Sequence, residues 1–166
     1  MTSGHVYLVG MPGSGKSTVG RHLARLLDMP FVDLDREVEE EAGQSIAEIF
    51  RHGGEARFRL LESTSLGRVA SAEPSVVACG GGVVVKEANR STLRQTGRVV
   101  YLHADPARLM EGAVVGSPAR PLIRTEADLE RLAAEREALY RDVADHVAEM
   151  EGRPSEVAQA VAGMLS

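Results

Sequence analysis

Apolar residues along the chain follow two rhythms in turn. The runs HVYLV (5–9), SVVAC (75–79) and RVVYL (98–102) are continuously apolar, without the alternation of a half-wet sheet, and predict parallel strands covered on both faces. PFVDLD, introduced by Pro30 and ending on carboxylates, and HVAEM (146–150) predict two further strands. Between these runs the apolar positions recur every three to four residues, as on one face of a helix. Val19, Leu23 and Leu26 follow Lys16 in this way, Phe58 and Leu61 lie in a helix from about Gly54 to Val69, and NRSTLRQTG connects two strands as a helix. Leu129, Leu132, Arg136 and Leu139 or Tyr140 fall near one face of a helix over 126–140, and Val157, Val161 and Leu165 form a stripe over 154–165. Ser45 followed by Glu48 is a capping-box spacing that starts a helix over SIAEIF after the break at Gly43. Alternation of this kind predicts a single α/β domain, 1–166, with three layers around a central parallel sheet of about five strands, because each crossover helix buries its apolar face on the strands.

Composition narrows the surroundings in which such a domain works. With 166 residues the chain is long enough for one full core and too short for two ordinary ones. A formal net charge of −5 disfavours general attraction to nucleic-acid backbones, so no nucleic-acid partner is expected. No apolar run approaches the roughly 20 residues of a membrane helix, and the chain opens directly into a strand pattern. Cys79 is the only cysteine, which excludes an intrachain disulfide and a cysteine-clustered zinc site. It reads as a small buried hydrophobe. A cytoplasmic protein without a membrane partner is the expectation. His5, His22, His52, His103 and His146 form no metal-ligand spacing.

The strongest chemical signal is GMPGSGKST (10–18), a full G-x-x-x-x-G-K-[ST] pattern after a predicted strand and at the start of a predicted helix. In that setting Gly13, Ser14, Gly15, Lys16, Ser17 and Thr18 surround a nucleotide's phosphates through backbone amides and the helix N-terminus. Lys16 reaches the terminal phosphates and the Ser17 hydroxyl coordinates magnesium. Asp33 and Asp35 stand two apart in a strand-like stretch and are expected to point to the same side at its C-terminal end, where open parallel sheets bind ligands. One carboxylate can hold water on magnesium and the other can take a proton from a hydroxyl. The triglycine Gly80, Gly81 and Gly82 begins where a buried strand ends; close approach to a ligand or a plain turn would each explain it. Phe50 and Phe58 flank a substrate pocket or pack in the core, and the residues leave both open.

The ordered set GMPGSGKSTVGRHLARLL, FVDLD, SIAEIF, GGEARFRLLE, CGGGVV, RPLI and REALYRD closely resembles the shikimate kinases, small monomeric enzymes of the nucleoside monophosphate kinase-like P-loop group, over nearly the whole chain. The resemblance implies a P-loop kinase fold with a mobile lid and ATP-dependent phosphorylation of the 3-hydroxyl of shikimate, on the route to chorismate and the aromatic amino acids. It also implies that Asp35, Arg59, Gly80, Gly81, Gly82 and Arg136 hold shikimate, that Asp33 is the magnesium-site carboxylate acting largely through water, and that Arg120 is the lid arginine that reaches the ATP phosphates. Arg153 and Pro154 correspond to the segment approaching adenine. Residue chemistry agrees on the acceptor side: a small carboxylated triol suits the fork-shaped donors of Arg59 and Arg136, and Glu62, one turn beyond Arg59, is placed to fix it by an i,i+3 pair.

One stretch departs from the family pattern. The interrupted segment 112–125 reads as the lid, yet Glu111, Gly112 and Ala113 stand where a further lid arginine over adenine is expected, and Arg108 lies too early. Two other functions fit the donor motif: a different small-molecule kinase, such as one acting on gluconate, and a nucleotide-binding protein without turnover. A GTPase fits less well, since no N-K-x-D base-recognition motif is present.

Overall fold

The computed structural model describes residues 4–111 and 115–166. Strand β1 (His5–Val9) is fully covered and sits at the centre of a five-stranded sheet of order β2-β3-β1-β4-β5, with β2 (Phe31–Asp33), β3 (Val76–Ala78), β4 (Gly97–His103) and β5 (His146–Glu149). Every pairing is parallel. Its residues divide by the period of two: Val6 and Leu8 enter a core with Val19 and Leu23 of helix α1 (Lys16–Leu27) and Val157 and Val161 of the C-terminal helix Pro154–Leu165. Tyr7 and Val9 enter the opposite core, with Leu66, Leu93, Leu132 and Tyr140 from helices on the other face. The three predicted layers are therefore present, and all five predicted strands lie in one sheet.

Helix α2 (Leu34–Ala42) follows β2 with no intervening loop. Asp33 caps it, its carboxylate accepting from the amides of Asp35 at 3.1 Å and Arg36 at 3.4 Å. The expectation of two carboxylates on one side of a strand is thereby corrected: Asp33 ends the strand, and Asp35 lies in the first helical turn. Gly43 at φ 65° closes α2, and Ser45 with Glu48 forms the predicted capping box at the start of α3 (Ile46–Ala70). The two helices predicted around Gly54 are both present within α3, meeting at a kink where Gly54 leaves helical geometry with φ 71° and ψ −173°. The chain continues through a 3-10 turn (Val83–Val85), α4 (Glu87–Thr96), α5 (Pro106–Glu111), α6 (Glu126–Val143) and α7 (Pro154–Leu165). Positions 112 and 113, where the additional lid arginine was sought, lie outside the described residues, as does 114. No helix among the described residues is long and apolar enough to cross a membrane.

Register then fixes what meets at the sheet's C-terminal edge. Leu8 pairs with Ala78 and Asp33 pairs with Ala78 from the other side, so the glycine loop after β1, Asp33 at the end of β2 and the triglycine after β3 emerge as neighbours.

Candidate active site

The loop between β1 and α1 folds tightly on the sheet. A side chain at Gly10, which has φ 150°, would place its Cβ 2.6 Å from the Leu102 carbonyl, and Gly15 at φ 96° turns the chain into α1. Lys16 is buried and donates to the carbonyls of Gly10 at 2.8 Å and Met11 at 2.9 Å, curling over its own loop. Burial, followed by the nearby Arg120 guanidinium, lowers its pKa to about 8. Gly13, Gly15, Lys16, Ser17 and Thr18 all line one cavity with Asp33 and Asp35. Ser14 is buried beneath the loop, beside the space that a Gly10 side chain would need.

Ser17 Oγ donates to Asp33 Oδ2 at 3.0 Å, while Asp33 Oδ1 is engaged with the α2 amides. A hydroxyl and a carboxylate side by side at a phosphate loop are a hard oxygen pair of the kind magnesium takes together with phosphate oxygens and water. No group of three or more His, Cys, Asp or Glu side chains able to hold a metal occurs among the described residues.

A second cavity adjoins the first. It is lined by Arg59 and Arg136, both buried, with Glu62, Phe50, Phe58, Pro12 and the triglycine. Arg59 Nη1 bonds Glu62 Oε1 at 2.9 Å, the predicted i,i+3 pair. Burial raises the Glu62 pKa and the Arg59 guanidinium opposes that rise. Each glycine of the triglycine faces a different part of the site. Cβ atoms would come within 2.7 Å of Asp35 Oδ1 from Gly80, 2.5 Å of Pro12 from Gly81, and 2.3 Å of Arg59 Nη1 from Gly82. The Val83 amide also bonds the Gly80 carbonyl at 3.1 Å, so a turn through Gly81 and Gly82 and close approach to neighbouring groups together account for the three glycines. Phe58 is buried against Phe50 at a centroid distance of 5.1 Å, and both line the cavity, so the pocket and core readings hold together.

Asp35 belongs to both cavities, and so does Arg120, whose Nη1 lies 3.5 Å from Asp35 Oδ2. Burial raises the Asp35 pKa, with Arg120 the largest opposing influence. The geometry gathers thirteen of the site residues expected from the sequence around one continuous cleft, with Ser14 lying just below its surface. Arg153 and Pro154 lie apart from both cavities as the described residues line them. Pro154 opens α7, and the largely exposed Arg153 side chain pairs with Glu156 at 3.2 Å. Pro12, Ile46, Arg36 and Glu39 line the cleft without having been expected to. Of these Pro12 and Ile46 carried a signal, lying inside the glycine motif and the SIAEIF motif respectively.

With this geometry established, comparison with known proteins gives a consistent result. The family profile described as shikimate kinase matches residues 12–166. The shikimate kinase of Paracidovorax citrulli is 45% identical over 147 residues, covering 86% of this chain and 80% of that protein. That of Ralstonia nicotianae is 44% identical over 164 residues, covering 97% and 85%. Among solved structures, shikimate kinase from Acinetobacter baumannii in complex with shikimate superposes with a TM-score of 0.93 at 37% identity, covering 98% of this chain and 92% of that one.

Proposed function

The chain belongs to the shikimate kinase family, and from that premise we propose how its two cavities carry out the transfer of a phosphoryl group from ATP to the 3-hydroxyl of shikimate. The observation that carries the reading is Asp35, which stands in the wall shared by the phosphate cavity and the arginine-lined cavity. A residue there touches both reactants of an in-line transfer.

ATP phosphates occupy the loop at Gly13, Ser14, Gly15, Lys16, Ser17 and Thr18, where backbone amides and the α1 N-terminus present positive partial charge. To receive them Lys16 exchanges the Gly10 and Met11 carbonyls for phosphate oxygens. Ser17 and Asp33, whose side chains meet at 3.0 Å beside the loop, would hold a magnesium ion, which would supply charge neutralisation across the phosphates. Arg59 and Arg136 grip the shikimate carboxylate, with Glu62 holding Arg59 in place, and the triglycine receives the ring closely enough for backbone donors to reach its hydroxyls. Asp35 orients the attacking hydroxyl and accepts its proton. Its burial favours this, because a carboxylate whose pKa is raised is a better proton acceptor. Arg120, 3.5 Å from Asp35, pairs with the transferring phosphoryl group as charge builds there. Arg120, in the described part of the proposed lid (115–125), stands over both cavities, and the protein acts as a soluble cytoplasmic monomer.

The deciding experiment couples ADP formation by purified protein with ATP, magnesium and shikimate to identification of the phosphorylated carbon, with quinate and gluconate assayed in parallel. Phosphorylation at the 3-hydroxyl, lost on metal chelation and absent with gluconate, is expected. ATP binding without turnover of any of the three acceptors would refute the proposal. Asp35→Asn keeps the side chain's shape and removes its charge, so kcat should fall by about 100-fold or more while ATP Kd stays within about twofold. An Asp35→Asn enzyme with unaltered single-turnover rate would show that Asp35 neither orients the hydroxyl nor accepts its proton.

A further inference from the structure

Tyr140 lies on α6, one turn beyond Arg136, and is fully buried. Its ring stacks on Tyr101 of β4 with centroids 5.0 Å apart, an arrangement that by itself would make it a core residue. Its hydroxyl has another connection. It donates to the Gly81 carbonyl at 2.5 Å, across 59 positions of sequence, and lies 3.6 Å from the sulfur of Met11 in the phosphate loop. The Arg136 guanidinium sits beside the same oxygen. Burial pushes the phenol's pKa up to about 12, so it remains a proton donor throughout the physiological range.

This bond constrains the peptide that follows. Because a trans peptide is planar, the Gly82 N–H points away from the Gly81 carbonyl, hence away from Tyr140. No hydrogen bond within the described residues takes that N–H, and Gly82 lines the arginine-rich cavity with its α-carbon against Arg59. A triglycine has the widest choice of backbone conformation available to any three residues, so an external anchor is needed to keep one peptide orientation populated.

We propose that the Tyr140 hydroxyl is a positioning group for the acceptor site, fixing the Gly81–Gly82 peptide so that the Gly82 amide stands ready to donate to a hydroxylated ligand held by Arg59 and Arg136. The inference rests on the reading of that cavity as the shikimate site. The same hydroxyl touches the phosphate loop only through a weak sulfur contact, so its influence is directed at the acceptor rather than at ATP.

Tyr140→Phe tests this, because it keeps the ring and its stacking on Tyr101 and removes only the oxygen. Wild-type turnover of shikimate is measured first; its absence would refute the assignment of the cavity itself and leave the variant's result separate. In an active background, Tyr140→Phe should raise shikimate Kd and KM by about tenfold, the scale of one lost hydrogen-bond anchor, with ATP Kd within about twofold. Leu165→Ala, in the core on the opposite face of the sheet, serves as the control for lost stability alone: it should lower Tm without moving shikimate KM. Equal weakening of both substrates in Tyr140→Phe, or unchanged shikimate binding in a folded variant, would overturn the proposal.

Discussion

Gly82→Ala is a clean probe of the acceptor site because its backbone already accommodates alanine. At φ −97° and ψ 8° the residue is outside the left-handed region, so the added methyl acts only through what it meets. It meets the Arg59 guanidinium, with Cβ at 2.3 Å from Nη1, 2.4 Å from Nη2 and 2.5 Å from Cζ. Ordinary contact begins near 3.4 Å, so the guanidinium must withdraw by 3.4 − 2.3 = 1.1 Å. Arg59 is long and flexible enough to do so without unfolding α3, and the 2.9 Å bond to Glu62 is the contact that gives way. The consequence should be large for function and small for stability. Misplacement by about 1 Å, or loss of one charge-assisted hydrogen bond worth about 1.5–3 kcal/mol, corresponds to roughly 10- to 100-fold in shikimate kcat/KM. Tm should fall by no more than about 2–4 °C, the equivalent of about 1 kcal/mol in a domain of this size. Steady-state kinetics with each substrate varied in turn, together with a thermal melt, gives all three numbers. A folded Gly82→Ala enzyme with shikimate kcat/KM within twofold of wild type would mean that Arg59 does not work from the position in which it is found.

Three further outcomes follow from the donor side and the scaffold. Lys16→Ala should leave the fold intact and lower kcat by about 100-fold or more, since its charge is used where charge develops on the phosphoryl group; near-normal kcat would refute that role. With Lys16 at about pKa 8 in the free protein against 10.5 for an unperturbed lysine, the unfolded chain binds the extra proton between those values, and the contribution of Lys16 to stability rises with pH across that window. Bound phosphates raise the pKa again, so ATP binding at pH 8.5 should take up protons and weaken as pH climbs, seen by calorimetry in buffers of different ionisation enthalpy; equal apparent enthalpies in those buffers would contradict it. Ser45→Ala removes the hydroxyl that accepts from the Glu48 amide, leaving the backbone half of the α3 capping box, and should cost about 1 kcal/mol, read as a Tm drop of about 2–4 °C without a change in kcat.

Features that depend on local sequence were legible in advance. The double-covered strands, the Ser45–Glu48 box and the Arg59–Glu62 pair all rest on neighbours within four residues, where spacing alone determines geometry. The phosphate loop was legible because its function is carried by backbone and its motif is contiguous. Other features depend on contacts between distant segments, and spacing is silent about them. Part of the reason for three glycines lies in Pro12, Asp35 and Arg59, and the Tyr140 bond to Gly81 joins residues that share no local pattern. The end of β2 was misplaced for a different reason: an aspartate that ends a strand and caps a helix in the same step leaves no loop to mark the change.

That abrupt junction explains how two carboxylates, two residues apart, come to serve different partners. Had the strand continued through Asp35, its period of two would have sent both side chains to the same face, where a shared position raises the cost of ionising the second. Because the chain turns into α2 at Leu34, which is fully buried, Asp33 directs Oδ2 to Ser17 and spends Oδ1 on the helix amides. Asp35, one residue into the helix, instead meets Gly80 and Arg120. On the proposed reading, the helix cap thus separates the carboxylate assigned to the metal from the carboxylate assigned to the acceptor while keeping both at the same edge of the sheet. Phosphoryl transfer requires this combination, with the donor's counter-ion and the acceptor's hydroxyl handled by distinct groups held a short, fixed distance apart.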